Sequence, residues 1–363
     1  VAVLSAEAEP YAKVGGLADV AGALPRALEH LGARVTLVLP AYRSIDRRRH
    51  GLRRLDLPAG SVPIGGRREP WIVETGRLPG TDVQVLCVGG RYFDRDGLYV
   101  DPLAGEFADQ AERWIFFARA GLEALRSLGT RPDVLHLNDY HTALAAAYVR
   151  QPEAGPFFAD VATLFSIHNL GYQGLFKPAV FPLTGLPPWF MAPLGPLEFF
   201  GAVNFMKCGL VQADVLGTVS PTYAREIQGS DEFGYGLQGV LRGRSADLFG
   251  ILNGIDDGVW NPASDPLVAA RYDRESLDGK EACKRALLER LGLPYEARTP
   301  VVGCISRLVD QKGFDLVLEA MPALLAMGLQ LVVLGSGAEA YESALEDWAR
   351  RAPRQVSVTR AFD

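Results

Sequence analysis

Cysteine is scarce in this chain of 363 residues: there are four, and no two form a C-x-x-C pair. Cys87, Cys208, Cys283 and Cys304 stand far apart in apolar contexts. They read as buried small hydrophobes in a reducing compartment, which excludes a disulfide framework and a zinc site and points to the cytoplasm. Long apolar runs are also missing. None reaches the roughly 18 residues of a membrane span, and the strand-like start lacks the basic region of a signal peptide. Positive charge is not in excess: 37 Lys and Arg face 43 Asp and Glu, and the net charge of −6 argues against nucleic acid as the main ligand. The basic run DRRRHGLRRL (46–55) reads as a solvated loop, with a basic rim near a phosphate-bearing substrate as the alternative. Internal repeats and low-complexity tracts are absent from the sequence.

Apolar residues are plentiful, at 48%, enough for two cores in a chain of this length. Apolar strand candidates fall at 1–4, 34–40, 83–88, 134–137, 162–167 and 214–220, with helical periodicity at 17–31, 111–129 and 141–151. This alternation predicts an α/β fold with a mostly parallel sheet and helices on both faces. The pattern restarts near residue 245, with strands at 248–252, 301–308, 330–337 and 355–358 and helices at 274–292 and 314–328. The expected domains are therefore 1–245 and 246–363. The second is expected to be incomplete, because a doubly wound nucleotide-binding domain usually has about six strands.

Chemistry is expected where strands end. In SAEAEPYAKVGGLADVAG, Lys13, Gly15 and Gly16 separate a strand from a helix. Glycine admits φ > 0 and close approach of a ligand, N–H groups at a helix start attract anions, and Lys13 adds a cation. VLHLNDYH places Asp139 and His141 just past a strand containing His136, and LFSIHNLGYQG places His168 and Asn169 at the end of another. Asp139 is a candidate acid/base or hydroxyl-binding carboxylate and His168 a candidate hydrogen-bonding imidazole. CISRLVDQKGF carries Arg307 and Lys312 from a strand into a helix, which suits a diphosphate.

Other motifs are weaker. LGSGAEA fits G-x-G-x-x-A through Gly335, Gly337 and Ala340, with Asp363 as a possible ribose carboxylate, but it follows earlier strands of its domain. The D-x-D at Asp94 and Asp96 sits in a turn and reads as no metal site. The loop 185–201, rich in Pro and aromatics, suits either an acceptor groove or simple packing.

Six blocks in order, KVGGLADVAGALP, HLNDYHTAL, SIHNLGYQG, VSPTYAREI, GILNGIDDGVWNP and SRLVDQKGFDLV, resemble the bacterial glycogen synthases of the ADP-glucose-dependent starch and glycogen synthase family. The resemblance implies a glycosyltransferase-B fold, two Rossmann-like domains facing across a cleft. It implies retaining transfer of glucose from ADP-glucose to the non-reducing end of an α-1,4-glucan such as glycogen, with no cofactor and no metal. By resemblance, Lys13, Gly15 and Gly16 belong to the donor phosphate and glucose site. Asp139 matches the essential carboxylate, His168 and Asn169 the glucose-binding pair, Asn253 a cleft-lining residue, and Arg307 and Lys312 the cations on the leaving ADP. Tyr140 stands where the family commonly has Trp, and Gln238 where it commonly has an acid. The family's second-domain glutamate motif lies beyond Asp363, so the 363-residue chain is expected to bind donor weakly and transfer little glucose. A related transferase using UDP-glucose, or a glucan-binding protein without catalysis, remains an alternative; an NAD-linked oxidoreductase is a more remote one.

Overall fold

The computed structural model describes residues 1–58, 60–101 and 105–361. The chain divides into two compact units, Val1–Gly254 and Ile255–Asp363.

The first unit is built on one mixed sheet. Seven strands run parallel in the order Leu248–Gly250, Val215–Thr218, Ala162–Ile167, Val134–Asn138, Ala2–Leu4, Thr36–Pro40 and Gln84–Gly89. The central ones are buried throughout, as mainly apolar strands covered on both faces are. From Ala2–Leu4 the chain winds outward through Thr36–Pro40 and Gln84–Gly89, then returns to Val134–Asn138 on the other side. The winding direction therefore reverses between Ala2–Leu4 and Val134–Asn138, which is where open α/β sheets bind ligands. Arg67–Arg77 adds an antiparallel strand beside Gln84–Gly89 and forms a hairpin with Gly60–Ile64. The sequence reading missed this hairpin, although Gly65-Gly66 between two apolar-alternating runs is a hairpin signal. The helix expected at 141–151 is short, Leu144–Tyr148.

LFGIL was expected to open the second domain, but its strand, Leu248–Gly250, closes the edge of the first sheet. Leu216 pairs with Leu248 and Thr218 with Gly250, and a Cβ on Gly250 would lie 2.3 Å from the Ser220 carbonyl oxygen. The division thus falls after Gly254 rather than after 245.

The second unit has three parallel strands in the order Val301–Ile305, Gln330–Leu334 and Val356–Thr359, with helices Asp278–Arg290, Phe314–Ala326 and Glu339–Arg351. Its core is small, centred on Leu308, Phe314, Met321, Val333 and Leu345. All four cysteines are free thiols. Cys87 and Cys208 are buried as expected, but Cys283 and Cys304 are half-buried, and the Cys283 thiol donates to the Ala270 carbonyl. Among the described residues no helix is long and apolar enough to cross a membrane.

Candidate active site

The two strands at the reversal are tied at their carboxyl ends by Asn138, whose Nδ2 donates to the Leu4 carbonyl at 2.9 Å. Its Oδ1 therefore accepts, and His168 Nε2 lies 2.9 Å from it. That arrangement assigns the proton to Nε2 and leaves Nδ1 as an acceptor. Burial holds the His168 ring at a pKa of about 4, so it is neutral at physiological pH.

Asp139 follows directly, with a left-handed backbone (φ 55°) that a β-carbon makes costly. Its own N–H donates to the Ser166 carbonyl, and Oδ1 accepts the backbone N–H groups of His168 at 2.8 Å and Asn169 at 3.4 Å. One carboxylate oxygen is thus spent on holding the next strand's end. Burial nevertheless dominates, raising the Asp139 pKa to about 7, with the charge of Glu7 adding to the rise. Asn169 Oδ1 accepts from the Gly171 N–H, which shapes the following turn.

The Lys13 loop differs from its sequence reading. Gly15 has an extended backbone (φ −149°), and neither Gly15 nor Gly16 takes positive φ. The amides of Val14 and Gly15 do not face open space either: both donate to Glu7 Oε2, at 2.5 and 3.0 Å. What survives is the room for close approach, since a Cβ on Gly15 or Gly16 would meet nothing within 4 Å. Lys13 Nζ pairs with Asp19 at 2.7 Å in a partly exposed ion pair. Glu7 also accepts the Tyr99 hydroxyl at 2.5 Å, and its charge acts on both Asp139 and His168. This buried carboxylate holds the loop by hydrogen bonds and reaches the Asp139 cluster through its charge alone. It lies three residues beyond Leu4, so the strand-end rule that selected Asp139 would have selected it too.

His136 and His141 serve packing. His136 Nε2 meets Ser166 Oγ at 2.7 Å, and burial lowers its pKa to about 4. His141 is buried among Tyr99, Trp114 and Tyr140. Tyr140 packs over Gly174, where a Cβ would lie 2.3 Å from its ring. Gln238 donates to the Asp231 carboxylate. Asp94 and Asp96 both reach the Arg43 guanidinium at the surface, and no cluster of three His, Cys, Asp or Glu suited to a metal occurs among the described residues. In the basic run, Arg47 pairs with Glu74 and donates to the carbonyls of Ala41, Tyr42, Arg43 and Ile45, so it acts as an internal clamp.

In the second unit, Arg307 lies two residues beyond Val301–Ile305, and Lys312 precedes Gly313 (φ 71°) at the start of Phe314–Ala326. Neither cation is in an ion pair among the described residues. The G-x-G beside them is a packing device. Cβ atoms on Gly335 and Gly337 would lie 1.9 Å from the Ser306 carbonyl oxygen and 2.2 Å from that of Leu308. The glycines admit the neighbouring loop, and Glu342 takes the Gly337 N–H at 2.8 Å. Asp363 lies outside the described residues. Asn253 is exposed in the irregular segment after Leu248–Gly250, and no hydrogen bond joins it to the Asp139 cluster among the described residues.

A doubly wound sheet with a buried carboxylate, an imidazole and a lysine loop at its reversal point, followed by a second parallel α/β unit, is the pattern of a glycosyltransferase-B fold. Residues 1–243 match the starch synthase catalytic domain. Glycogen synthase of Syntrophotalea carbinolica is 44% identical over 369 residues, covering 100% of this chain and 74% of that protein. Glycogen synthase of Thermotoga petrophila is 43% identical over 368 residues with the same coverage. The catalytic domain of Starch Synthase IV from Arabidopsis thaliana, bound to ADP and acarbose, superposes with a TM-score of 0.91 at 33% identity, covering 100% of this chain and 74% of that one. The chain belongs to the starch synthase catalytic-domain family of glycosyltransferases.

Proposed function

We propose that this protein transfers glucose from ADP-glucose to the non-reducing end of an α-1,4-glucan, with retention, and that it does so in the cytoplasm. The observation that carries this reading is the switch-point cluster: Asp139, His168 and Asn169 held at adjoining strand ends, with Glu7, which holds the Lys13 loop by hydrogen bonds, near enough for its charge to act on Asp139. The ADP and acarbose named with the Arabidopsis relative support a nucleotide donor and a glucan acceptor.

In this reading Lys13 meets the donor's charge. Its exposed pair with Asp19 is worth only about 0–1 kcal/mol, so exchanging Asp19 for a phosphate costs little. Gly15 and Gly16 let the sugar nucleotide lie against the backbone. Asn169 and the Nδ1 acceptor of His168 bind glucose hydroxyls, while Asp139 stabilises positive charge developing on the transferred sugar. Arg307 and Lys312 hold the diphosphate and stabilise the departing ADP. Asn253 contributes a further polar contact. The first unit thus supplies the acceptor site and part of the donor site, and the second unit the nucleotide site. No cofactor or metal enters this reading.

The test is glucose incorporation into glycogen from ADP-glucose and from UDP-glucose, using the protein expressed from its complete reading frame. Preference for ADP-glucose is expected. Preference for UDP-glucose, or incorporation from neither, would overturn the assignment.

A further inference from the structure

Two exposed aromatic residues of the first unit hold backbone conformations that bulky side chains rarely adopt. Phe200 has φ 50° and Tyr235 φ 48°, yet they are 86% and 48% exposed. Strain of this kind persists where the surroundings over-determine it, and it concentrates at ligand sites. Here the surroundings do so. Gln173 Nε2 donates to the Tyr235 carbonyl at 3.1 Å, and Gln173 Oε1 accepts from Asn204 Nδ2 at 2.6 Å, both amides being buried. Lys207, also buried, donates to the Glu198 carbonyl at the start of the strand leading into Phe200.

The two aromatics are neighbours. A Cβ on Gly236, adjacent to Tyr235, would lie 2.8 Å from Phe199 Cζ and 3.5 Å from Phe200 Cε2. Tyr235 also borders the candidate active site: a Cβ on Gly171 would lie 3.6 Å from the Tyr235 hydroxyl oxygen and 3.1 Å from Asn169 Oδ1. Phe200 in turn forms one wall of a shallow groove of about 430 Å³ that Leu175, Lys177 and Pro178 also line.

We propose that Tyr235 and Phe200 form a stacking platform for successive glucose units of the acceptor, on a path from Asn169 to the groove beside Lys177. A pyranose presents an apolar C–H face and a rim of hydroxyls. Aromatic rings suit the face, and the Tyr235 hydroxyl and the Lys177 amine suit the rim. Continuity with Asn169 identifies the occupant as the glucan acceptor. An open groove beyond the platform fits a chain longer than a disaccharide. The inference rests on the glucan-transfer reading above and deepens it, by making these two residues determinants of acceptor affinity.

The experiment measures calorimetric affinities for maltoheptaose and for ADP, with the protein from its complete reading frame and its Phe200→Ala and Tyr235→Asn variants. Asn tolerates the left-handed backbone, so the second variant keeps the turn. Each substitution is expected to weaken maltoheptaose binding about tenfold or more, as loss of a stacking contact of roughly 1.4 kcal/mol would, with ADP affinity unchanged. Unchanged maltoheptaose affinity in both variants overturns the platform, as does a parallel loss of maltoheptaose and ADP affinity. Wild-type protein that binds ADP but no maltoheptaose overturns the platform alone. Wild-type protein that binds neither overturns the transferase reading as well.

Discussion

Asp139 carries two opposing demands. Its backbone sits in a strained region to bring the carboxylate to the strand end, and burial raises its pKa to about 7. Because the folded value lies above the unfolded one, this group's stabilising contribution is complete below about pH 4 and is lost as pH rises through about 7. Asp139→Asn keeps the oxygen that the His168 and Asn169 amides need and suits the left-handed backbone. The variant should therefore be more stable than wild type at pH 8, on the order of 2 kcal/mol, and no more stable at pH 4. Thermal melts at both pH values check this, and equal shifts at the two would count against a raised pKa. The histidine signs run the other way. His136 has a folded pKa of about 4, below its unfolded value, so its contribution is present above about pH 6.5 and is lost as pH falls through 4. The strand-end placement of Asp139 and His168 was legible in sequence because a polar residue just past an apolar strand is a specific position in an open sheet. Glu7 occupies such a position too, but lysine and glycine drew the reading toward the neighbouring loop.

At the scale of elements, Glu7 is what turns a glycine-containing loop into a fixed one. It accepts from Val14, Gly15 and Tyr99, three donors on segments far apart in sequence. Glu7→Gln replaces one acceptor oxygen with a donor facing donors. The expected result is roughly tenfold weaker ADP binding together with faster amide exchange over residues 13–16, because a charge-assisted network is worth about 1.5–3 kcal/mol per bond. Unaltered exchange would mean that the loop holds itself. Gly337→Ala tests the second unit in the same way. A Cβ 2.2 Å from the Leu308 carbonyl oxygen must displace the segment carrying Arg307 and Lys312. Reduced ADP affinity and reduced stability should appear together, and a variant with wild-type values for both would contradict the packing role. The sequence motif alone did not reveal this role, because glycine spacing is the same whether the backbone approaches a phosphate or another loop. The strand at Leu248–Gly250 was visible as a strand, but its partner, Val215–Thr218, is a matter of sheet pairing that local pattern does not encode.

At the scale of the whole molecule, the strands of the large sheet differ in how deeply they are buried. Ala2–Leu4 lies in the middle of a ten-stranded sheet and is buried throughout, whereas Leu248–Gly250 is an edge of the same sheet, with Phe249 54% exposed. Hydrogen exchange should therefore be faster along Leu248–Gly250 than along Ala2–Leu4 and Val134–Asn138, and the reverse order would contradict this picture of stability. The parallel α/β architecture and the two-unit organisation were legible from the alternation of strands and helices. The contacts that assemble the site were not, because they join segments such as Glu7 with Tyr99 and Asn138 with Leu4 only after folding. The central claim is that the switch-point cluster of the first unit performs glucosyl transfer. Its most direct test is the rate of glucose transfer from ADP-glucose to glycogen by the protein from its complete reading frame and by Lys13→Ala, Asp139→Asn and Asp94→Asn. Losses of about a hundredfold or more are expected for the first two, in line with removal of electrostatic stabilisation, with Asp94→Asn near wild type. Wild-type rates in Lys13→Ala and Asp139→Asn would contradict the account.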